Sequence, residues 1–366
     1  MSVYLFFIVF LVLFLSIHTL FYLRVVRKLL HSSTIKKTIT VLLALNFGFN
    51  LLYVLSRYTD LMTHKLYYFF SLSIGISFMI FLYLILHEIL HIFHFFPLPA
   101  NPSRRAFFKK SSDSLMLSFG ASYVSVATYE GNKEPIVKTL QINLFDFSIV
   151  QISDLHIGGL IDRDFVRNAV KKINQLKPDI VCITGDLIDT DIHSIQESIK
   201  EIESIHATYG IYYILGNHEY FHNPLALINY MQTTSIKLLL NESITIDPLK
   251  VNIVGLTDLI GHRMKMFEPD IHKAFSRCNA HYPTILLAHQ PKQIETLEDY
   301  QPELILSGHT HGGQIWPFNY LVQLQQPYVK GLHKLPNGNL IYVNSGIGFW
   351  GPPMRLNSQA EITYIT

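Results

Sequence analysis

The 366-residue sequence contains few cysteines and little net charge. Only Cys182 and Cys278 are present, and Cys182 lies inside an apolar run of strand length. We therefore expect no disulfide framework, and this cysteine content suits a reducing compartment. The formal net charge is only +2, and no run of basic residues interleaved with aromatics occurs after the apolar N-terminal part. These absences argue against nucleic acid as a partner.

Hydrophobic residues make up 49% of the chain and are concentrated in its first hundred residues. They form three long stretches, at residues 3–23, 38–58 and 66–86. Each stretch has about the 20 residues that a helix needs to cross a bilayer, so we predict three transmembrane helices. A cleaved signal peptide is not expected, because no basic residue precedes Val3 and no small-residue cleavage site follows Leu23. Asn46 and Asn50 are expected to face the neighbouring helices.

Basic residues flank the three stretches unevenly. Two lie between the second and third stretches, Arg57 and Lys65. More lie between the first two stretches or after the third, namely Arg24, Arg27, Lys28, Lys36, Lys37, Arg104, Arg105, Lys109 and Lys110. Because basic flanks mark the cytoplasmic side, we expect an N-terminus outside and everything after the third helix in the cytoplasm. The sequence thus predicts a multi-pass cell-membrane protein with the lipid bilayer as a partner.

The chain divides by composition into three parts. Residues 1–96 are expected to form the membrane domain, and the proline-rich, basic residues 97–118 a juxtamembrane linker. Residues 119–366 are long enough to bury a substantial core as one domain. In that part apolar runs of strand length alternate with helical patterns such as residues 164–176. The alternation predicts an α/β domain.

Five short polar segments follow apolar runs of the predicted α/β domain. They are Asp154–His156, Gly185–Asp189, Gly216–Glu219, His289 and Gly308–Gly312. Buried strands cannot carry unpaired charges, and ligand sites in open α/β sheets gather beyond the strand ends. Residues two apart, such as Asp154 and His156, project to one side of an extended backbone. The carboxylate, amide and imidazole groups of these segments are sufficient for two metal ions.

Taken in order, these segments resemble the signature of the calcineurin-like metallophosphoesterases, which is D-x-H, G-D-x-x-D, G-N-H-[DE], H and G-H-x-H. The resemblance covers residues 141–366 and fills every ligand position. It implies a four-layer α/β/β/α sandwich that hydrolyses phosphate esters. The Gly346–Arg355 segment and the membrane-tethered layout resemble the phosphodiesterase branch rather than the protein phosphatases.

The resemblance also implies how the ligands are shared between two metal ions. The first ion would bind Asp154, His156 and His311, and the second ion would bind Asn217, His289 and His309. Asp186 would bridge the two ions. Such a pair can hold a bridging hydroxide and neutralise the attacking and leaving oxygens. His218 would protonate the leaving oxygen. Oxygen and nitrogen ligands without thiolate allow manganese, iron, magnesium or zinc.

Other residues near the motifs are expected to assist. Asp189 and Glu219 would orient ligands through hydrogen bonds. Arg355 is predicted to contact the substrate phosphate, because a guanidinium can bind phosphate in a bidentate manner. Four aromatic residues lie nearby in sequence, Trp316, Phe318, Phe349 and Trp350. They either line a hydrophobic substrate groove or pack in the core.

A different motif ends the third apolar stretch. His87-Glu88-Ile89-Leu90-His91 matches the H-E-x-x-H pattern of zinc proteases, with His94 on the same helical face. Such a protease needs a third ligand, and the membrane part offers only His18, Asp60 and His64. The positive-inside rule places the last two on the opposite face of the membrane. We therefore favour a polar helix end in the headgroup region as the explanation of the motif, and we regard the match to the protease pattern as accidental.

We therefore predict a membrane-anchored phosphoesterase that uses two divalent ions. Its tether would hold the site beside the inner leaflet, which favours a lipid phosphodiester or a nucleotide-linked lipid pyrophosphate as substrate. Two alternatives remain open at this point. One is a non-catalytic membrane scaffold that binds metal, against which the intact His218 argues, and the other is the zinc protease that would use His87 and His91.

Overall fold

The computed structural model describes residues 3–29, 31–56, 64–92 and 101–366. The chain separates into two compact units. The first, called the helical unit below, lies within residues 1–132 and also includes Gly351–Met354. The second, called the sandwich unit, comprises Lys133–Trp350 and Arg355–Thr366.

Four long helices form the helical unit. They are α1 (Val3–Arg24), α2 (Ser33–Ser56), α3 (His64–Ile92) and α4 (Pro102–Gly131). Three segments are long and apolar enough to cross a membrane, namely Phe7–Lys28, Ser33–Ser56 and Lys65–Ile89. They correspond to the three predicted stretches, although residues 57 and 58 of the second stretch lie outside the described residues. The sequence prediction of three membrane-length helices is confirmed.

Polar side chains link α1, α2 and α3 inside the bundle. Asn46 and Asn50 both donate to Ser77 Oγ at 2.7 Å. Asn46 Nδ2 also lies 3.1 Å from His18 Nε2, and Asn50 accepts a bond from Ser73 Oγ at 2.8 Å. Both asparagines are buried, as predicted from the sequence. Hydrogen bonds between helices compensate polar groups that lipid could not satisfy.

Most of the residues that we predicted to be a linker belong to a helix instead. Asn101 accepts hydrogen bonds from Ser103 N at 2.9 Å and Arg104 N at 3.2 Å, and Pro102 occupies the first turn. This N-cap and proline start α4, so residues 102–118 are helical rather than a linker. Residues 97–100 lie outside the described part of the chain. The boundary between the units correspondingly falls after Asn132, not at residue 118.

Two six-stranded sheets form the centre of the sandwich unit. The first has the order β1 (Ile136–Leu140), β12 (Glu361–Ile365), β2 (Ile149–Ile152), β3 (Ile180–Ile183), β4 (Ile211–Tyr213) and β5 (Lys237–Leu238). The second has the order β10 (Gly331–Lys334), β11 (Leu340–Val343), β9 (Leu304–Ser307), β8 (Thr284–Ala288), β7 (Val251–Leu256) and β6 (Glu242–Ile246). The helices of this unit are α5 (Arg163–Leu176), α6 (Gln196–Glu203), α7 (Pro224–Met231), α8 (Ile260–Met264), α9 (Ile271–Phe275) and α10 (Asn319–Gln323).

Alternating side chains of the strands create three apolar layers. Val150 and Ile152 of β2 pack with residues of α5, α6 and α7, whereas Ile149 points into a core shared by both sheets. Cys182, fully buried in β3, belongs to this shared core. A third cluster covers the other face of the second sheet and includes residues of α9, such as Ile271. The unit is therefore the four-layer α/β/β/α sandwich expected from the sequence.

Parallel pairing brings the polar segments to common edges of the two sheets. Strands β2 to β5 run parallel in the first sheet, and β7, β8, β9 and β11 run parallel in the second. Gln151 in β2 donates to the Ser307 carbonyl of β9 at 2.9 Å and to Thr184 Oγ1 at 2.9 Å. The carboxyl ends of strands from both sheets therefore meet, and the loops that follow them lie together.

Candidate metal centre

The loops that follow β2 and β3 continue to pair after the strands end. The Asp154 amide donates to the Gly185 carbonyl at 3.1 Å, and the His156 amide donates to the Asp186 carbonyl at 3.0 Å. In the second sheet, the Gly308 amide donates to the His289 carbonyl at 2.9 Å. These bonds fix the backbone from which the predicted ligands project.

Several predicted ligands have left-handed backbone conformations rather than the extended ones expected from their spacing. Their φ angles lie between +49° and +68°, at Asp154, His156, Asp186, His309 and His311. Aspartate and histidine adopt this region more readily than most residues do, although it still costs free energy. The side chains therefore converge because the backbone turns at each ligand, and not because alternate residues of a strand face one side.

Asp154, His156 and His311 form one cluster. His156 Nε2 lies 3.1 Å from His311 Nε2, which lies 3.5 Å from Asp154 Oδ1. The Asp154 carboxylate also accepts a hydrogen bond from the His309 amide, at 3.0 Å to each oxygen. The three side chains are buried and direct one ligand atom each towards a common point.

Asp186, His289 and His309 form a second cluster. His289 Nε2 lies 3.3 Å from Asp186 Oδ2 and 3.2 Å from Asn217 Oδ1. His289 Nδ1 lies 2.7 Å from the Thr184 carbonyl, so that nitrogen carries the proton and Nε2 is turned towards the cluster. The structure therefore brings Asn217 to the same place as the other three residues.

Asp186 lies between the two clusters. Its Oδ2 atom, 3.3 Å from His289 Nε2 in one cluster, is also 3.8 Å from His156 Nε2 in the other. Gly216 approaches so closely that a Cβ atom there would overlap Asp186 Oδ1, which explains the glycine. All seven predicted ligand residues are thus assembled around this carboxylate.

Three of these histidines are kept neutral by burial, which is the form in which an imidazole binds a divalent cation. Burial lowers the pKa of His156 to about 4 and that of His309 to about 3, and it lowers the pKa of His311 well below its usual value. Neutral imidazoles with Nε2 lone pairs 3.1 Å apart, close to carboxylate oxygens, match the donor set that Mn²⁺, Fe²⁺ and Zn²⁺ accept. The residues present therefore fit the two-ion site that the sequence predicted.

Glu219 anchors the loops that carry Asp186 and Asn217. Its fully buried carboxylate accepts hydrogen bonds from four backbone amides. The distances are 3.2 Å from Asp186, 2.6 Å from Leu187, 3.2 Å from Ile188 and 2.7 Å from Gly216. Burial, followed by the charge of Asp186, raises the pKa of Glu219 to about 7. This arrangement agrees with the orienting role that we expected for Glu219.

His218 lies beside both clusters. Its amide donates to Asp186 Oδ1 at 2.9 Å, and its Nδ1 lies 2.8 Å from Asp189 Oδ1. Burial disfavours the imidazolium, but Asp186 and Asp189 outweigh burial and raise the pKa of His218 to about 9. Its ring contacts Trp350 and Phe221, each at a centroid distance of 6.1 Å. His218 is therefore held by a carboxylate in an orientation from which it can donate a proton.

Sequence reasoning missed a buried carboxylate, Asp258, which follows β7. Gln290 Nε2 donates to both of its oxygens, at 2.9 and 3.0 Å, and Gln290 directly follows His289. Burial raises the pKa of Asp258, and its charge is felt by His289. The signal was available, because Asp258 follows an apolar run of strand length just as the five polar segments do.

Arg355, which we predicted to contact the substrate phosphate, is buried against backbone carbonyls. It is 1% exposed, and its Nη2 donates to the backbone carbonyls of Ser345 at 3.0 Å, Gly346 at 3.2 Å and Gly348. Burial lowers its pKa to about 10, so it remains charged. In this structure Arg355 holds a loop from within and does not face open space.

That loop supports the first cluster. The Ile347 amide donates to the Ser153 carbonyl at 2.9 Å, and the Gly348 amide donates to the Asp154 carbonyl at 3.0 Å. Ser358, whose carbonyl accepts from Arg355 Nη1 at 3.3 Å, donates through Oγ to the His311 carbonyl at 2.6 Å. Arg355 thus helps to position Asp154 and His311, because the loop residues that it binds are hydrogen-bonded to the backbone carbonyls of both.

Within the described residues of the competing H-E-x-x-H motif, Glu88 lies close to Arg24 and His87. Glu88 Oε1 lies 3.6 Å from Arg24 Nε and 3.4 Å from His87 Nδ1. The side chain of His91 and all of His94 lie outside what the structure describes. Among the described side chains, each group of three potential metal ligands lies in the sandwich unit.

Comparisons with known proteins identify a family for the segment that carries these residues. The family model for the calcineurin-like phosphoesterases matches residues 147–313. An uncharacterized metallophosphoesterase of Helicobacter pylori is 40% identical over 242 residues, which are 65% of this chain and 65% of that protein. The chain therefore spans just under two thirds of the length of such curated relatives.

Two further relatives carry more informative names. UDP-2,3-diacylglucosamine pyrophosphatase LpxG of Chlamydia trachomatis is 32% identical over 280 residues, covering 60% of this chain and 83% of that protein. A transmembrane protein with metallophosphoesterase domain from Bos taurus is 32% identical over 259 residues, covering 63% of this chain and 56% of that protein.

The loop-holding role of Arg355 predicts a stability defect. Arg355→Met removes the hydrogen bonds to four buried backbone carbonyls, and we expect it to lower the free energy of unfolding by at least about 2 kcal/mol. Denaturant unfolding of the full chain in detergent measures this change. Arg277→Met, at an exposed arginine, is the matched control and should have no effect. Unchanged stability with weakened binding of inorganic phosphate would instead favour the substrate contact.

Proposed function

Because the chain belongs to the calcineurin-like phosphoesterase family, we propose that it hydrolyses phosphoester bonds with two divalent metal ions. One observation carries this proposal. Asp186 lies between two groups of buried imidazole and carboxylate ligands, and His218 lies next to both groups. A site with two adjacent cation positions and a neighbouring proton donor has what phosphoryl displacement requires.

The roles of the ligand residues follow from their contacts. Asp154, His156 and His311 would hold one ion, Asn217, His289 and His309 the other, and Asp186 both. When bound, such ions neutralise phosphoryl oxygens and activate water for attack on phosphorus. His289 Nδ1–H donates to the Thr184 carbonyl, and the amides of Asp186 and Leu187 donate to the Glu219 carboxylate, so the ligands are oriented before any ion binds.

His218 would act as the general acid. Asp189 binds its Nδ1 and thereby fixes the ring, which leaves Nε2–H to donate to the leaving oxygen. The neighbouring carboxylates keep the imidazole protonated. The proton would pass to the alkoxide as its bond to phosphorus breaks, so the need for His218 should rise with the basicity of the leaving group.

The first test is metal-dependent hydrolysis by the full-length protein. With bis-p-nitrophenyl phosphate and Mn²⁺, Asp186→Ala should abolish turnover and His218→Ala should lower kcat by about 10²–10⁴-fold. The loss in His218→Ala should be larger for alkyl esters than for p-nitrophenyl esters. His206→Ala, at an exposed histidine, is the control. A folded, metal-loaded wild type without turnover on any diester would favour the scaffold alternative.

We propose a lipid-linked phosphodiester or pyrophosphate as the substrate. Three membrane-length helices tether the site to a bilayer. A relative that is 32% identical is named as a pyrophosphatase of a diacylated nucleotide sugar, which joins a lipid to a nucleotide through a pyrophosphate. Both facts favour a substrate that resides in the membrane surface.

Substrate preference can be measured directly in nanodiscs. We expect kcat/KM for nucleotide-linked diacyl lipids or phospholipid diesters to exceed that for soluble diesters with the same leaving group. The physical reason is that a tethered site meets a membrane-bound substrate at high effective concentration. Turnover of soluble esters alone would refute the lipid proposal and leave the two-metal reaction standing.

We also propose that the sandwich unit faces the cytoplasm and the N-terminus faces outside. The support is the excess of basic residues before α2 and at the start of α4. Thiols introduced as Ser33→Cys and Arg104→Cys should react with a membrane-impermeant maleimide in inside-out vesicles and stay protected in intact cells. Cys182 is fully buried and adds little background, and a Cys278→Ser background removes the other native thiol. Labelling in intact cells would show the opposite topology, with these two positions outside the cell.

A further inference from the structure

An apolar surface lies on the segment that follows the ligand His311. It is made by Trp316, Phe318, Tyr320, Leu321, Leu324 and Trp350, and we call it the aromatic surface. Leu324 is 81% exposed and Tyr320 58% exposed. Phe349, by contrast, packs against the core, as one of the two interpretations of the four aromatic residues expected. Large side chains grouped this way mark a contact surface.

The aromatic surface is also free of charge. Residues 314–329 contain no Asp, Glu, Lys, Arg or His, although α10 and its flanking turns are solvent-exposed in large part. An uncharged surface rich in tryptophan, tyrosine and leucine is what membrane–water interfaces select, because amphipathic rings sit at the headgroup level. A soluble surface of this size would normally include interspersed charges.

Gln314 joins the aromatic surface to the catalytic residues. Its side chain donates to the Trp350 carbonyl at 2.9 Å and accepts from the Trp350 amide at 3.0 Å. The Trp350 ring in turn contacts His218. The Trp316 amide donates to the Leu356 carbonyl at 3.0 Å, next to Arg355. The surface therefore borders the site where the leaving group would be protonated.

The chain itself connects Trp350 to a candidate membrane helix. Directly after Trp350, Gly351–Met354 belongs to the helical unit. Within that unit Ser71 Oγ donates to the Gly351 carbonyl, and Gly75 leaves the space that the Met354 side chain fills. Ser71 and Gly75 both lie within the candidate span Lys65–Ile89. Trp350 is thus one residue away from a segment that packs on a helix of transmembrane length.

We propose that the aromatic surface sits in the headgroup region of the bilayer and presents the active site to lipid. Its exposed rings and its lack of charge both fit a lipid occupant. The contact with the bilayer does not depend on phosphoester hydrolysis, whereas the presentation of the active site to lipid rests on the proposed function. A lipid substrate could then reach His218 without leaving the membrane surface.

The chain offers a selective probe, because Trp316 and Trp350 are its two tryptophans. The full-length Trp316→Phe and Trp350→Phe variants each leave one reporter, both within the aromatic surface. In liposomes that contain brominated phosphatidylcholine, each reporter should lose much of its emission relative to liposomes without bromine, because aromatic rings at the headgroup level lie close to the acyl chains. Each should also be protected from the aqueous quencher acrylamide. Full accessibility to acrylamide with no quenching by brominated lipid would overturn the proposal.

A pair of charge variants tests contact with the bilayer separately from phosphoester hydrolysis. Leu324→Glu places a charge on the aromatic surface, whereas Leu332→Glu places one on β10 at another exposed leucine. Leu324→Glu should reduce quenching of both tryptophans by brominated lipid, and Leu332→Glu should not. Equal quenching in both variants would count against bilayer contact. A wild-type protein without phosphodiesterase activity would refute the proposed function and leave the fluorescence result unaffected.

Discussion

The buried carboxylate of Glu219 is the constraint on which the site depends. It binds four amides from two loops, one after β3 and one after β4. Those loops carry Asp186 and Asn217, and the amide that follows Asn217 is itself bound by Asp186. A carboxylate that replaces water around four N–H groups fixes the loops with little freedom. The left-handed backbone at Asp186 can persist because this network holds it.

A second buried ionic group performs the same task on the other side of the site. The guanidinium of Arg355 binds carbonyl groups, whereas Glu219 binds amides, so the two residues hold opposite ends of the backbone dipoles. Each buried charge is compensated by several peptide groups instead of a single counter-ion. Removing either charge would therefore expose many unsatisfied peptide groups at once.

The sequence allowed an α/β arrangement with polar segments at strand ends to be anticipated because these features follow local rules, whereas the four-layer sandwich and the proposed ligand set came from the resemblance to a known family. Strands β2, β3, β8 and β11 end where apolar runs end, and parallel pairing then determines which loops meet. Other features depend on long-range contacts that a single segment cannot reveal. Arg355 had a plausible role as a phosphate ligand until its burial among carbonyls from residues 345–348 was known. Pro102 was interpreted as part of a linker, although with Asn101 it starts a helix.

The membership of Gly351–Met354 in the helical unit has a consequence for how the protein is made. Helices α1 to α4 leave the ribosome before the strands of the sandwich unit, yet the space beside Gly75 and Gly131 is filled by Pro352, Pro353 and Met354, which are made after most of that unit. Domains usually fold in the order of synthesis. Here the N-terminal unit cannot complete its packing until translation has passed Met354, by which time every metal ligand has been made. Complete packing of the helical unit and synthesis of all the candidate metal ligands therefore become linked steps of biogenesis.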